Sequence, residues 1–94
     1  MIVRIDIHQS EAESFEYSVS TEGDTLFADS GLSSILHCMA SAIEGLGGEV
    51  RAVEFALQGV VSGTYPLRVI ATRPAEVAQH AVNTTNAVLE AENE

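Results

Sequence analysis

The chain has no lysine and no tryptophan, and apart from three histidines its only basic side chains are Arg4, Arg51, Arg68 and Arg73. Against fourteen Asp and Glu residues this leaves a formal charge of −10 on 94 residues. Affinity for nucleic-acid phosphates comes mainly from Lys and Arg, so direct nucleic-acid binding is disfavoured. The single cysteine, Cys38, excludes an internal disulfide and fits a reducing compartment. No apolar run approaches the roughly 20 residues that span a bilayer. The opening MIVRIDIH alternates like a strand and lacks a basic leader, which argues against a secretory signal and for a cytoplasmic protein.

What is present is a folding sequence. The hydrophobic fraction of 46% is well above that of a disordered acidic chain, and 94 residues suit one domain rather than two with separate cores. Val3, Ile5 and Ile7 alternate with Arg4, Asp6 and His8, the period of a strand with one buried face. Phe15, Tyr17 and Val19 repeat the pattern, so the two runs predict an antiparallel hairpin. Residues 21–31, rich in Gly and Asp, read as a loop from which Leu26 and Phe27 fold back over the core. Asp29 or Ser30 is the expected N-cap of a first helix. Its apolar stripe is Leu32, Ile35, Leu36, Met39, Ile43 and Leu46, and Gly45, Gly47 and Gly48 close it.

A third strand carries Val53, Phe55 and Leu57 on its buried face, and the next turn falls at either Gln58-Gly59 or Ser62-Gly63. A fourth strand is expected to run to about Thr72, with Leu67, Val69 and Ala71 on one face and Pro66 at an edge or bulge. Pro74 then opens a second helix through about Leu89, lined by Val77, Ala81, Thr84, Thr85 and Val88. Residues 90–94 form a frayed acidic tail, because carboxylates there oppose the helix dipole. The expected fold is a single α+β domain over residues 1–94 in ββαββα order: a two-layer sandwich whose four-stranded antiparallel sheet carries two helices on one face. Arg4, Asp6, His8, Glu16, Ser18, Glu54 and Arg68 would form the polar sheet face.

The residues that bear chemistry do not assemble into a known pattern. His37 and Cys38 are adjacent on a helix and point about 100° apart, unlike the i, i+4 pair that grips one metal. Cys38 reads as a small buried residue beside Met39. Ser34, His37, Ser41 and Glu44 share one exposed helix side, where His37 and Ser41 can touch, but nothing supplies an oxyanion hole. Glu22, Asp24 and Asp29 crowd one loop without the spacing of a calcium-binding loop. Arg4, Arg51 and Arg68 either gather on the sheet or neutralise carboxylates such as Asp6, Glu16 and Glu54. The sequence assigns no catalytic, cofactor-binding or metal-ligating residue and implies no cofactor.

Residues 67–91, LRVIATRPAEVAQHAVNTTNAVLEA, read as a strand running into a helix that carries Asn83-Thr84. They resemble the C-terminal part of the small dimerising subunit of the KEOPS tRNA-modification complex. The resemblance covers that third of the chain, and where that family has one strand before its first helix, this sequence reads as two. It implies scaffold-like behaviour and transfers no residue role.

These features together predict a small acidic interaction or regulatory module, not an enzyme, that self-associates as a homodimer or with a protein partner through its open sheet face or an edge strand. Two other classes remain open. One is an accessory subunit of a nucleic-acid-directed, tRNA-modification-like complex, and the other a small-molecule or metal-dependent enzyme built on His8, His37 or His80. A halophilic, salt-adapted host and a GC-rich mesophile both account for the missing lysine. Molar salt shortens the Debye length to about 3 Å and screens the self-repulsion of a −10 chain. The melting temperature should therefore rise between low and molar potassium chloride, and a fall in Tm over that range contradicts the reading.

Overall fold

Val3, Ile5 and Ile7 project from β1 (Ile2–Glu11) into the core and are essentially inaccessible to solvent, while Arg4 and Asp6 occupy the opposite face. The computed structural model describes residues 1–93, and within it β1 is the middle strand of five, in the order β3-β2-β1-β4-β5. β2 (Ser14–Thr21) pairs antiparallel with one edge of β1, setting Val19 opposite Ile5 and Tyr17 opposite Ile7. The expected hairpin is thus present.

The expected loop at 21–31 is instead a third strand, β3 (Asp24–Leu32), joined to β2 by a two-residue turn. Glu22 (φ 51°) and Gly23 (φ 87°) both take left-handed conformations there, the backbone of a tight hairpin that matches strand twist. β3 is an edge strand with one neighbour, so Asp24, Thr25 and Ser30 remain solvated. Phe27 turns inward and meets Tyr17 edge-on, with ring centroids 6.3 Å apart, whereas Leu26 stays exposed.

α1 (Ile35–Glu44) starts at Ser34, whose Oγ accepts the His37 amide at 3.0 Å. The cap is not Asp29 or Ser30, which belong to β3, where Asp29 Oδ1 accepts the Ser30 amide. Cys38, Met39 and Ala42 are fully buried, and Ile35, Ile43 and Leu46 pack partly against the core. Leu36, expected on the buried stripe, is 45% exposed.

The glycine-containing connection then returns the chain to the end of the sheet at which β1 begins. The Arg51 amide donates to Met1 O, and the Met1 ammonium to Glu49 O. β4 (Ala52–Leu57) consequently runs parallel to β1, with Phe55 beside Ile5. The sheet is mixed and five-stranded, not antiparallel and four-stranded, because the chain crosses over through α1 instead of reversing in a hairpin. β5 (Val60–Pro66) follows a turn at Gln58-Gly59, where φ is 52° and 80°. Of the two candidate turns this is the one used, and Ser62 is an extra residue in β5 whose hydroxyl donates to Phe55 O.

The expected extension of β5 to Thr72 is overturned: residues from Leu67 onward form α2 (Leu67–Thr72). Pro66 has no amide to continue a ladder, and after Leu67 donates to Arg51 O the helical turn carries Ile70 into complete burial. Arg73, pushed out of helical geometry as the residue before a proline, separates α2 from α3 (Pro74–Glu92). Val77, Ala78, Ala81 and Thr85 form the buried side of α3, and Thr85 Oγ1 donates to Leu57 O at 3.3 Å. α3 extends past Leu89, so Glu90 and Glu92 are helical, and Glu94 lies outside the described residues. The fold is α+β with element order βββαββαα, in place of the expected ββαββα.

α1 packs on β2 and β3, α3 packs on β4 and β5, and α2 contacts both helices. Phe55, the largest fully buried side chain, sits in β4 beneath this layer. Replacing Phe55 with Ala should lower unfolding free energy by about 3–5 kcal/mol, measured by urea denaturation. A loss below about 1 kcal/mol would contradict its central place.

Candidate functional site

On the open face of the sheet the guanidinium of Arg4 is already committed. Its Nε bonds Asp6 Oδ2 at 2.9 Å, and its Nη1 bonds Glu54 Oε1 at 3.2 Å. The hydrogen bond and charge of Asp6, helped by Glu54, raise the Arg4 pKa further above its ordinary value. Arg68 is on α2 and does not join the sheet face, Arg51 precedes β4, and Arg73 lies 4.0 Å from Glu76. The expected pairing with carboxylates holds for Arg4 through Asp6 and Glu54, and the Leu67 amide's bond to Arg51 O sets Arg51 near Arg68, away from Arg4.

His8 faces Glu16 across β1 and β2 at the rim of an open depression of about 510 Å³, also lined by Ser18, Ala28, Asp29 and Ser30. His37 lies at the start of α1 with Nδ1 3.3 Å from Ser33 Oγ, and His80 is on α3 beside Tyr65 and Val77. The three histidines thus lie on separate elements. Among the described residues no group of three or more His, Cys, Asp or Glu side chains is placed to hold a metal ion. Glu22 and Asp24 sit at the β2–β3 turn, and Asp29 lies five residues further along an extended strand, roughly 15 Å away. The crowding read from the sequence is therefore relieved by strand formation.

The side of α1 expected to carry Ser34, His37, Ser41 and Glu44 is divided. Ser34 caps the helix, His37 turns toward Ser33, and Ser41 Oγ shares a 2.9 Å hydrogen bond with the hydroxyl of Tyr17. Ser41 is drawn to the sheet because the buried ring of Tyr17 carries a hydroxyl that needs a partner. Cys38 is fully buried, as the sequence suggested, and burial, with a smaller contribution from Asp29, pushes its thiol up to about 11.

Both sheet edges are irregular. In β3, Leu26 has no counterpart on β2, and Ser30 and Gly31 together oppose Glu16. In β5, Ser62 is unmatched and Pro66 ends the strand. Such bulges and prolines obstruct the addition of a further strand.

The helical layer is different in character. Between α1 and α2 lies a groove of about 450 Å³ lined by Leu36, Ala40, Ile43, Ile70, Ala71 and Pro74, with no charged side chain in its lining. Its α1 wall is Leu36, Ala40 and Ile43 at i, i+4 and i+7; Leu36 and Ile43 belong to the stripe expected in the core, and Ala40 carries no signal of its own. No helix among the described residues is long and apolar enough to cross a membrane.

No protein-family model, curated protein or solved structure matches the chain. The strand-into-helix reading behind the resemblance to the KEOPS subunit does not describe residues 67–91, which are helical on both sides of Arg73, and three strands precede α1.

Burial should make Cys38 unreactive toward a disulfide reagent at pH 8 in native protein and reactive once the chain is unfolded. An acid whose folded pKa is raised keeps its proton in the fold after the unfolded chain has lost it. Stability should then decline from about 8.5, the ordinary thiol value, toward about 11. A Cys38→Ala variant should lack that part of the decline, and rapid labelling of the native protein would contradict the assignment.

Proposed function

We propose that this chain is a small acidic, non-enzymatic interaction or regulatory module that acts in the cytoplasm by self-associating, in a salt-adapted host. The observation that carries this reading is the apolar groove of Leu36, Ala40, Ile43, Ile70, Ala71 and Pro74, open to water on a chain of formal charge −10. Water-exposed apolar surface of this kind is covered favourably by another protein surface. The polar groups that point inward are already used, Tyr17 by Ser41 and Thr85 by the Leu57 carbonyl, and on the open face Arg4 is held by Asp6 and Glu54.

The alternation of the strands by itself points to the open sheet face or an edge strand as the contact. The bulged edges and the carboxylates Asp6, Glu16 and Glu54 on the open face favour the helical side instead. Sedimentation equilibrium of the whole chain at low and molar potassium chloride tests the reading. The expected result is a dimer whose population rises with salt as repulsion is screened, and a monomer at both salt concentrations overturns it.

A further inference from the structure

We propose that the groove is covered by the same groove of a second copy, with the two α1 helices crossing antiparallel at Ala40 about a two-fold axis. This rests on the self-association reading above and specifies its surface.

Shape is the first argument. Ala40 lies near the middle of α1, flanked by the 45% exposed Leu36 on one turn and by Ile43 on the next, and Ala71 and Pro74 form the opposite wall. A two-fold contact needs a patch that complements itself. Here a projecting leucine stands beside small residues, so the alanines at position 40 let the two helices approach at the crossing while Leu36 of each chain packs on the last turn of the other's α1, beside Ile43.

Charge is the second. Two chains of −10 each repel, and the contact that brings the fewest carboxylates together is one whose lining has none. The ends of α1 make the orientation specific. Its first turn has no acidic residue, its last turn has no basic one, and its final residue, Glu44, is exposed at the negative end of the helix dipole. Within one chain Glu44 is unfavourable at the C-terminal end and the N-terminal end lacks a carboxylate to stabilise it. Antiparallel crossing at Ala40 brings position 44 opposite position 36, so Glu44 of the partner subunit approaches the acid-free first turn. The two dipoles then oppose each other, and each helix receives the charge that its own sequence fails to supply.

Strand addition is the other common route to a second copy, but the bulges of β3 and β5 and the Pro66 end obstruct it. The contact would leave the open sheet face with its Arg4, Asp6 and Glu54 cluster free.

Sedimentation equilibrium of variants of the chain, at the lowest salt at which the unmodified chain is dimeric, tests the arrangement. Leu36→Glu should be monomeric where the unmodified chain is dimeric, with an unchanged circular dichroism spectrum, because the side chain is exposed. Glu44→Lys should weaken the dimer about tenfold, from two symmetry-related dipole contacts, although it reduces net charge as much as Glu13→Lys does. Glu13→Lys, in the β1–β2 turn, should leave association unchanged or strengthen it. Ala40→Cys should give a disulfide-linked dimer on mild oxidation, and Glu13→Cys should not. If the unmodified chain is monomeric at both low and molar salt, the self-association reading fails and takes this surface with it. If it is dimeric but Leu36→Glu remains so, if Glu44→Lys strengthens the dimer like Glu13→Lys, or if Ala40→Cys does not link, only the surface is wrong.

Discussion

The two-sided pairing of β1 is the constraint on which the other elements depend. β1 bonds antiparallel to β2 along one edge and parallel to β4 along the other, so Ile5 is set between Val19 and Phe55 with all three inaccessible to water. Apolar contact of this kind, repeated by Val3 beside Val53 and by Ile7 between Tyr17 and Leu57, supplies the main favourable term in folding. The parallel pairing also dictates the layer above. Parallel neighbours need a crossover, and α1 is the helix in that crossover, so it must lie on the buried face of the sheet.

Alternation made β1, β2 and β4 readable from sequence, because each buries one face and period-2 spacing is what a half-buried strand requires. The same test misses β3. An edge strand with one hydrogen-bonded neighbour keeps most of its residues wet, and two bulges break what alternation it has. Residues 67–72 fail it in another way: LRVIAT contains an alternating apolar set and also a helical one, and Pro66 together with the burial of Ile70 selects the helix. Which strands pair is a non-local property, so nothing in the spacing of Val53, Phe55 and Leu57 distinguishes a parallel neighbour from an antiparallel one. The groove was legible only as residues, since Leu36 looks like any other member of an apolar stripe until α2 is placed beside it.

The distribution of carboxylates follows from the same architecture. Glu11, Glu13, Glu22 and Asp24 occupy the ends of the first two hairpins, where every backbone turn is solvated. Glu54 and Asp6 are on the sheet and share the one arginine placed there. The layer of α1 and α2 is left without charge where the two helices face each other. An acidic protein with one neutral strip has its surface partitioned by sign, with repulsion over most of it and cohesion in one place.

The position of β1 has a further consequence for the order in which the chain can fold. Residues 2–32 can form a three-stranded meander from adjacent segments, but one edge of β1 stays without hydrogen-bond partners until Ala52–Leu57 is available. Closing it joins residues fifty positions apart, as in the pairing of Arg4 with Glu54, and contacts of that range slow folding because loop entropy must be spent before they form. During that interval the meander exposes an apolar face and, over Ile2–Ile7, an unpaired strand edge, a shape suited to mispairing with another nascent chain. The high negative charge carried in its turns then acts as a kinetic guard, keeping half-formed molecules apart until β4 arrives.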